Sequence, residues 1–511
     1  MYCHRKEKEK QMNQDIQTLD RVLTSRGYAI RKSSLPDDEQ KKIRKSLTVS
    51  PVVADKFAKQ SVEFPVFYES PQRLYLPRQW ALQNYGVPQA NIIPQGDLLP
   101  PALKFKGNPF DYQQNIIQKF IDAGANGLIC VPCGKGKTFM ALAIAARLGR
   151  RFLVVVDKEF LLNQWKGEME TFFPGLRIGI LQGPKCEIEP ELYDCTICMI
   201  QSVVQKPYKE HIFHTYGFTI FDECHHLGAA HFSKVLMKIQ TKWMLGLSAT
   251  PKRDDGLTKV FEWFLGPAVY HEKTREPDET VSVLTLSCQY QDPDYDEEPV
   301  DWKGDIVMAR LLGKIIDYKP RTERIADIIK VWIQEHPERR ILVLSERITH
   351  LEQFEVYLKP LGVEMGYYIG GMKEAVRDKT AADARIVLAT YAMASEAMNI
   401  KTLNAVVLAS PRKKVEQSTG RILRVRPDQR NLEHRILDVI DSHRIYMGQW
   451  RKRLAYYKQC HYKVYQIGTD NVTRTQMVKS TDIKSKSNEI QFSGCAIADE
   501  EEEKEKEEDD A

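Results

Sequence analysis

Between about residues 107 and 270 the apolar positions fall in short unbroken runs, "GLIC", "RFLVVV", "TICMI", "FTIFDE" and "WMLGLSA", separated by stretches of helical spacing. Runs of Val, Ile, Leu and Phe without polar alternation predict strands buried on both faces, and so a parallel sheet covered by helices. The pattern resumes in "RILVLSE", "GYYIGG", "ARIVLATY", "AVVLAS" and "HRILDVIDS". The simplest architecture is α/β, with two tandem parallel-sheet units of about 150 residues each. Around them we expect a small accessory region at 1–100, a first unit at 101–270 and a linker at 271–320 holding the polar "QYQDPDYDEEPVDWKGD". The second unit is expected at 321–460, closed by a basic amphipathic helix over "MGQWRKRLAYYKQCHYKVYQI". A C-terminal extension at 461–498 and an acidic tail at 499–511 complete the chain.

Composition narrows the class. The 511 residues exceed one core, and 42% hydrophobic with 28% charged residues is ordinary for soluble protein. No run of about 18 apolar residues predicts a membrane span. The opening "MYCHRKEKEKQMNQD" has no apolar stretch behind its charges, unlike a secretory signal. Ten cysteines, several inside apolar runs, read as reduced intracellular thiols. The C-x-x-C pairs Cys130/Cys133 and Cys195/Cys198 flank a loop and sit in a β-rich run, so buried thiols are expected over zinc. The formal net charge is +5, yet Asp499 to Asp510 holds ten acids against two lysines, a net of −8 that leaves +13 on the remainder. A basic body suits a polyanion partner, and the tail has too few apolar residues to fold alone, so it is expected to stay disordered.

Chemistry enters with "VPCGKGKT", Val131, Pro132, Cys133, Gly134, Lys135, Gly136, Lys137 and Thr138, set between a predicted strand and the helix "TFMALAIAARLG". Glycines turn backbone N–H groups inward, and a helix N-terminus favours anions. Lys137 is placed to reach β- and γ-phosphates and Thr138 to ligate Mg²⁺. Val131 stands where the common phosphate loop has glycine, at the end of the strand. A second predicted strand, "FTIFDECHH", delivers Asp222 and Glu223, the first to hold Mg²⁺ and the second to orient and deprotonate a water. In "EQSTGRILR", Gln417, Gly420, Arg421 and Arg424 recur at i, i+3, i+4 and i+7, one helical face. Two arginines on a separate unit can close on a γ-phosphate, which ties hydrolysis to movement.

In this order the motifs resemble those of the superfamily 2 helicases and translocases. "FDYQQ" looks like the adenine-recognising glutamine motif, with Gln113, and "PCGKGKT" like motif I. "VVVDKEFLLNQW" and "MIQSV" resemble motifs Ia and Ib, while "DECH" and "LGLSATPKRDDG" resemble II and III. "ILVLSERITHLEQF", "ATYAMASEAMNI" and "QSTGRILR" resemble IV, V and VI. The resemblance covers about residues 100–460 and leans to the branch of the xeroderma pigmentosum group B translocase and the helicases of large cytoplasmic DNA viruses. It implies two RecA-like domains, ATP with Mg²⁺ between them, and nucleic acid across both, DNA in preference to RNA. It places Lys158, Gln201, Ser202, Ser345 and Thr390 along the strand, and His225, Ser248, Thr250 and Gln417 in the link between nucleotide and strand. Motif V departs from the usual pattern, with Ala397 and Asn399 where glycine and aspartate are expected. A soluble intracellular protein is implied, in host cytoplasm or virion for a viral chain, with a transcription or repair role and no membrane partner. An RNA helicase and a non-hydrolysing ATP-gated clamp are the alternatives, and a clamp needs no water-activating Glu223.

Overall fold

The computed structural model describes residues 18–51, 63–132, 134–208, 210–249, 252–253, 255–272, 278–396, 398, 400, 402–420 and 429–478. Every apolar run named above forms a strand. In the first unit eight strands lie in the order Lys185–Cys186, Ile178–Gln182, Cys195–Met199, Phe152–Val156, Phe218–Phe221, Trp243–Ser248, Asn126–Cys130 and Ala268–His271. All pair in parallel except the hairpin strand Lys185–Cys186. Phe152–Val156, Cys195–Met199 and Phe218–Phe221 are buried at each position because helices cover both faces. Helices Asp111–Asp122, Lys137–Leu148 and Glu159–Phe172 close one face through Ile116, Phe120, Ile144 and Trp165. Helices Ser233–Lys238 and Thr258–Leu265 contribute to the other.

The accessory region is built into that second face. Its five-stranded sheet runs Tyr68–Glu69, Arg73–Leu76, Gly27–Arg31, Arg21–Thr24, Ala90–Asn91. Tyr28, Ile30 and Leu74 share one core with Leu128, Val155 and Phe264 of the first unit. Arg78, 3% exposed, opens helix Arg78–Tyr85 and donates to the carbonyls of Thr241 at 2.6 Å and Lys242 at 3.1 Å and to Asn126 Oδ1 at 3.1 Å. Those acceptors sit at the amino ends of strands Asn126–Cys130 and Trp243–Ser248.

The second unit has the order Met365–Tyr368, Ile386–Thr390, Ile341–Ser345, Ala405–Leu408, His434–Asp441, Val281–Cys288, Lys463–Ile467, Arg474–Val478, all parallel except the last pair. Two expectations need correcting. The span 271–320 is no linker throughout, because Val281–Cys288 runs beside His434–Asp441 over all eight of its residues and helix Met308–Asp317 follows. The closing helix spans Arg444–Gln459 and stops there, and "KVYQI" is a strand that extends the sheet, so 461–478 belongs to the second unit's core. Arg321 and Asp441, both fully buried, fasten helix Lys319–Glu335 to this sheet with bonds of 2.6 and 3.0 Å. Among the described residues no helix is long and apolar enough to cross a membrane.

Candidate nucleotide site and nucleic-acid track

Parallel strands point their carboxyl ends the same way, and ligands gather there. Register aligns Cys130 with Ser248, Phe221 with Val155, and Cys198 with Val155, so the segments after these positions emerge on one edge. "PCGKGKT", "DECH", the serine of "SAT", "DKEF" and "IQSV" are thereby brought together, although each comes from a different part of the chain.

In the phosphate loop, Gly134 and Gly136 have φ of +89° and +79°, and Gly136 caps helix Lys137–Leu148. A Cβ on Gly136 would lie 2.6 Å from Gln113 Nε2 and would have to displace that amide, on a backbone that already favours glycine. Gln113, 4% exposed, accepts from the Phe110 N–H through Oε1 at 3.0 Å and donates from Nε2 to the Lys135 carbonyl at 3.2 Å. Lys135 Nζ pairs with Glu272 Oε1 at 3.3 Å, and the Tyr112 hydroxyl also donates to the Lys135 carbonyl. The first N–H groups of a helix lack intrahelical partners, so this cradle fits an anion. Val131 leaves the nucleotide set: it is fully buried and its N–H donates to the Ser248 carbonyl at 3.2 Å, while Pro132 has no N–H to offer. Thr138 stands half-buried in the first turn. Cys133 lies outside the described residues. Burial pushes the Cys130 thiol up to about 12 and also raises Cys195 and Cys198, so these three are core thiols.

The two carboxylates differ in environment. Asp222 Oδ2 accepts from Trp165 Nε1 at 2.8 Å, and its Oδ1 accepts from the Glu223 N–H at 2.9 Å. Burial and the adjacent Glu223 charge raise the Asp222 carboxyl above its usual range. Burial opposes the Glu223 charge too, but the Lys137 ammonium and His225 outweigh it and hold that carboxyl low. The Lys137 charge thus favours the ionised form of both acids. Glu223 has φ +43° and ψ +50°, a left-handed conformation that is strained for a side-chain-bearing residue.

His225 Nδ1 lies 3.3 Å from Glu223 Oε2 and 3.1 Å from Ser248 Oγ, so motif III reaches the Glu223 carboxylate through one imidazole. Thr250 lies outside the described residues. Residue-type reasoning missed Arg253, which donates to the His225 carbonyl and holds Asp255 in a bidentate pair. Arg253 also packs against Gly228, where a Cβ would be 2.8 Å from it. Trp165 and Asp157 were missed as well. Gln201 Nε2 donates to the Asp157 carbonyl at 2.7 Å, and Asp157 Oδ2 faces His226 Nε2 at 3.8 Å.

Of the track residues, Lys158 caps helix Glu159–Phe172, and its charge is felt at His226. Gln201 is half-buried at the start of helix Ile200–Gln205. Ser202 is buried and accepts the Gly183 N–H at 2.8 Å. Ser345 is fully buried, with Oγ 3.0 Å from His350 Nδ1 and an N–H from Arg347 at 3.3 Å. Two expected strand contacts are therefore corrected: the Ser202 and Ser345 hydroxyls are used inside the protein, where they fix the loops beside the track. Thr390 ends its strand in register with Ser345 and is half-buried. Helix Glu416–Thr419 includes the Gln417 backbone, with Gly420 as its C-cap. Arg421, Arg424, Ala397, Asn399 and the tail from 499 lie outside the described residues.

Residues 106–253 match the family described as the res subunit of type III restriction enzymes, and residues 322–426 match the helicase conserved C-terminal domain. The chain is 30% identical over 462 residues to a protein of Acanthamoeba polyphaga mimivirus named as an ATP-dependent RNA helicase, with 86% of each chain covered. An African swine fever virus protein (isolate Pig/Kenya/KEN-50/1950), also named as an ATP-dependent RNA helicase, is 26% identical over 392 residues, 71% of this chain and 75% of its own. The DNA 3'-5' translocase XPB2 of Sulfurisphaera tokodaii is 30% identical over 200 residues, 39% of this chain and 43% of its own.

Proposed function

The chain belongs to the superfamily 2 helicases, an ATP-dependent family with two RecA-like domains, and on that premise we propose that it moves along or remodels DNA in transcription or repair. The observation that carries this reading is the single sheet edge where the phosphate loop, Asp222 and Glu223 meet motifs Ia and Ib. Gly134, Lys135, Gly136 and Lys137 cradle the phosphates, and Gln113, its amide spent on the Phe110 N–H and the Lys135 carbonyl, steadies that loop from behind instead of meeting the base. Thr138 and Asp222 would hold Mg²⁺, whose positive charge would neutralise the phosphates. Glu223 is ionised at neutral pH and orients the attacking water as hydrogen-bond acceptor. From the second unit Arg421 and Arg424 would supply the opposing charge, and Gln417 is assigned to the same set by its spacing in the sequence.

His225 and Ser248, with Thr250 two residues on, carry the state of Glu223 toward the track formed by Lys158, Gln201 and Thr390. These are phosphate-binding residue types, and they read no base. The DNA leaning is supported by the likeness to the Sulfurisphaera tokodaii translocase. The RNA reading is favoured by the names of the two viral relatives, matched over 86% and 71% of this chain. Steady-state ATPase rates with single-stranded DNA, duplex DNA and RNA decide between them. Stimulation by RNA alone overturns the DNA assignment, and a rate unmoved by any of the three overturns coupling to nucleic acid.

A further inference from the structure

Trp165 is fully buried, and a buried indole N–H requires an acceptor. Any backbone carbonyl would serve. Here the acceptor is Asp222 Oδ2 at 2.8 Å, on the carboxylate delivered to the ligand-facing edge. The other oxygen, Oδ1, takes the Glu223 N–H at 2.9 Å, so the carboxylate is clamped from two separate elements. A bond to a charged acceptor is roughly twice as strong as a neutral one, and it fixes the plane of the group.

The helix that carries Trp165 has other attachments. Lys158 caps its start. Phe160, Gln164 and Glu168 line a cavity of about 450 Å³ whose far wall includes Tyr368 and Arg377 of the second unit. This element of 14 residues therefore borders the proposed track, a cavity shared with the second unit and the acid proposed to hold Mg²⁺.

We propose that Trp165 is a positioning residue for ATP hydrolysis: its indole N–H aims Asp222 at Mg²⁺, and helix Glu159–Phe172 makes that aim depend on occupancy of the strand track at Lys158. The proposal rests on the reading of Asp222 as a metal ligand. Loss of a group that orients a ligand in this way changes metal affinity by about 10- to 100-fold.

The test titrates Mg²⁺ against binding of a fluorescent ADP, read by anisotropy, with and without single-stranded DNA. Trp165→Phe keeps most of the ring volume and removes the N–H. We expect its half-saturating Mg²⁺ to rise about tenfold with Mg²⁺-free nucleotide binding unchanged. DNA should lower the half-saturation of the wild type and leave that of the variant where it is. Leu162→Ala, on the same helix and buried, should lower the melting temperature without moving the Mg²⁺ curve. Trp165→Leu must reproduce the phenylalanine shift. A Trp165→Phe titration that superimposes on the wild type, or an equal response of both to DNA, overturns the proposal. If the wild type binds nucleotide with no Mg²⁺ dependence at all, the assignment of Asp222 falls, and the inference with it.

Discussion

Substituting Gly136 by alanine puts a number on the phosphate loop. The residue sits at φ +79° and ψ +42°, and the left-handed conformation costs an L-residue about 1–2 kcal/mol. The new methyl would stand 2.6 Å from Gln113 Nε2, closer than such carbons come. Gln113 cannot simply swing away, because its amide is bonded at both ends and the residue is 4% exposed. Displacing it breaks at least one bond, worth about 1 kcal/mol. The sum, about 2–3 kcal/mol, falls on the conformation that receives phosphate and corresponds to a loss of roughly 30- to 150-fold in nucleotide affinity. Gly149→Ala is the matched control. It ends the same helix at φ +61°, carries a similar conformational penalty and meets nothing nearer than the Ala146 carbonyl at 4.0 Å. It should lower stability by about 1 kcal/mol and leave affinity alone. Isothermal titration with a non-hydrolysable ATP analogue gives both answers. Wild-type affinity in Gly136→Ala, or an equal loss in Gly149→Ala, refutes the clash.

Glu223→Gln should retain nucleotide binding while hydrolysis falls at least ~10²-fold, and Arg424→Ala should behave alike; near-wild-type turnover in a steady-state ATPase assay removes the residue from the machinery. Asp441→Asn leaves the Arg321 guanidinium buried without its counter-charge, a loss of about 3–5 kcal/mol that urea unfolding should register in the second unit, and a shift under 1 kcal/mol contradicts the pairing. Arg78→Met strips donors from two backbone carbonyls and should cost about 2 kcal/mol, visible as faster amide exchange around residues 241–243. Deleting 499–511 should tighten DNA binding at low salt, with the difference fading near ~0.5 M as screening shortens; equal binding at low salt shows the tail is not a competitor.

Both sheets were legible because unbroken apolar runs have few other homes in a chain this long. Strand Val281–Cys288 gives a weak signal because "VSVLTLSC" alternates only partly and a long polar stretch follows it. Lys463–Ile467 was absorbed into the preceding helix, since "KVYQI" satisfies either period over five residues. The accessory sheet leaves little trace in the sequence because two of its five strands are only two residues long. The phosphate loop and the acid pair were legible because their spacing is local. Ser202 and Ser345 show the limit: a hydroxyl has the same letter whether it faces a ligand or the interior. Trp165 and Arg253 carry no such signal, because their importance lies in contacts 57 and 28 residues away.

The left-handed backbone at Glu223 sets two kinds of selection against each other. Glycine there would relieve a penalty on the order of 1–3 kcal/mol and stabilise the fold. A screen scored on melting temperature would therefore favour losing the glutamate, and on the role proposed for Glu223 it would return a hardier protein with little turnover. For anyone engineering this chain toward heat resistance, position 223 is one to exclude from the library, since the gain on one scale is the loss on the other.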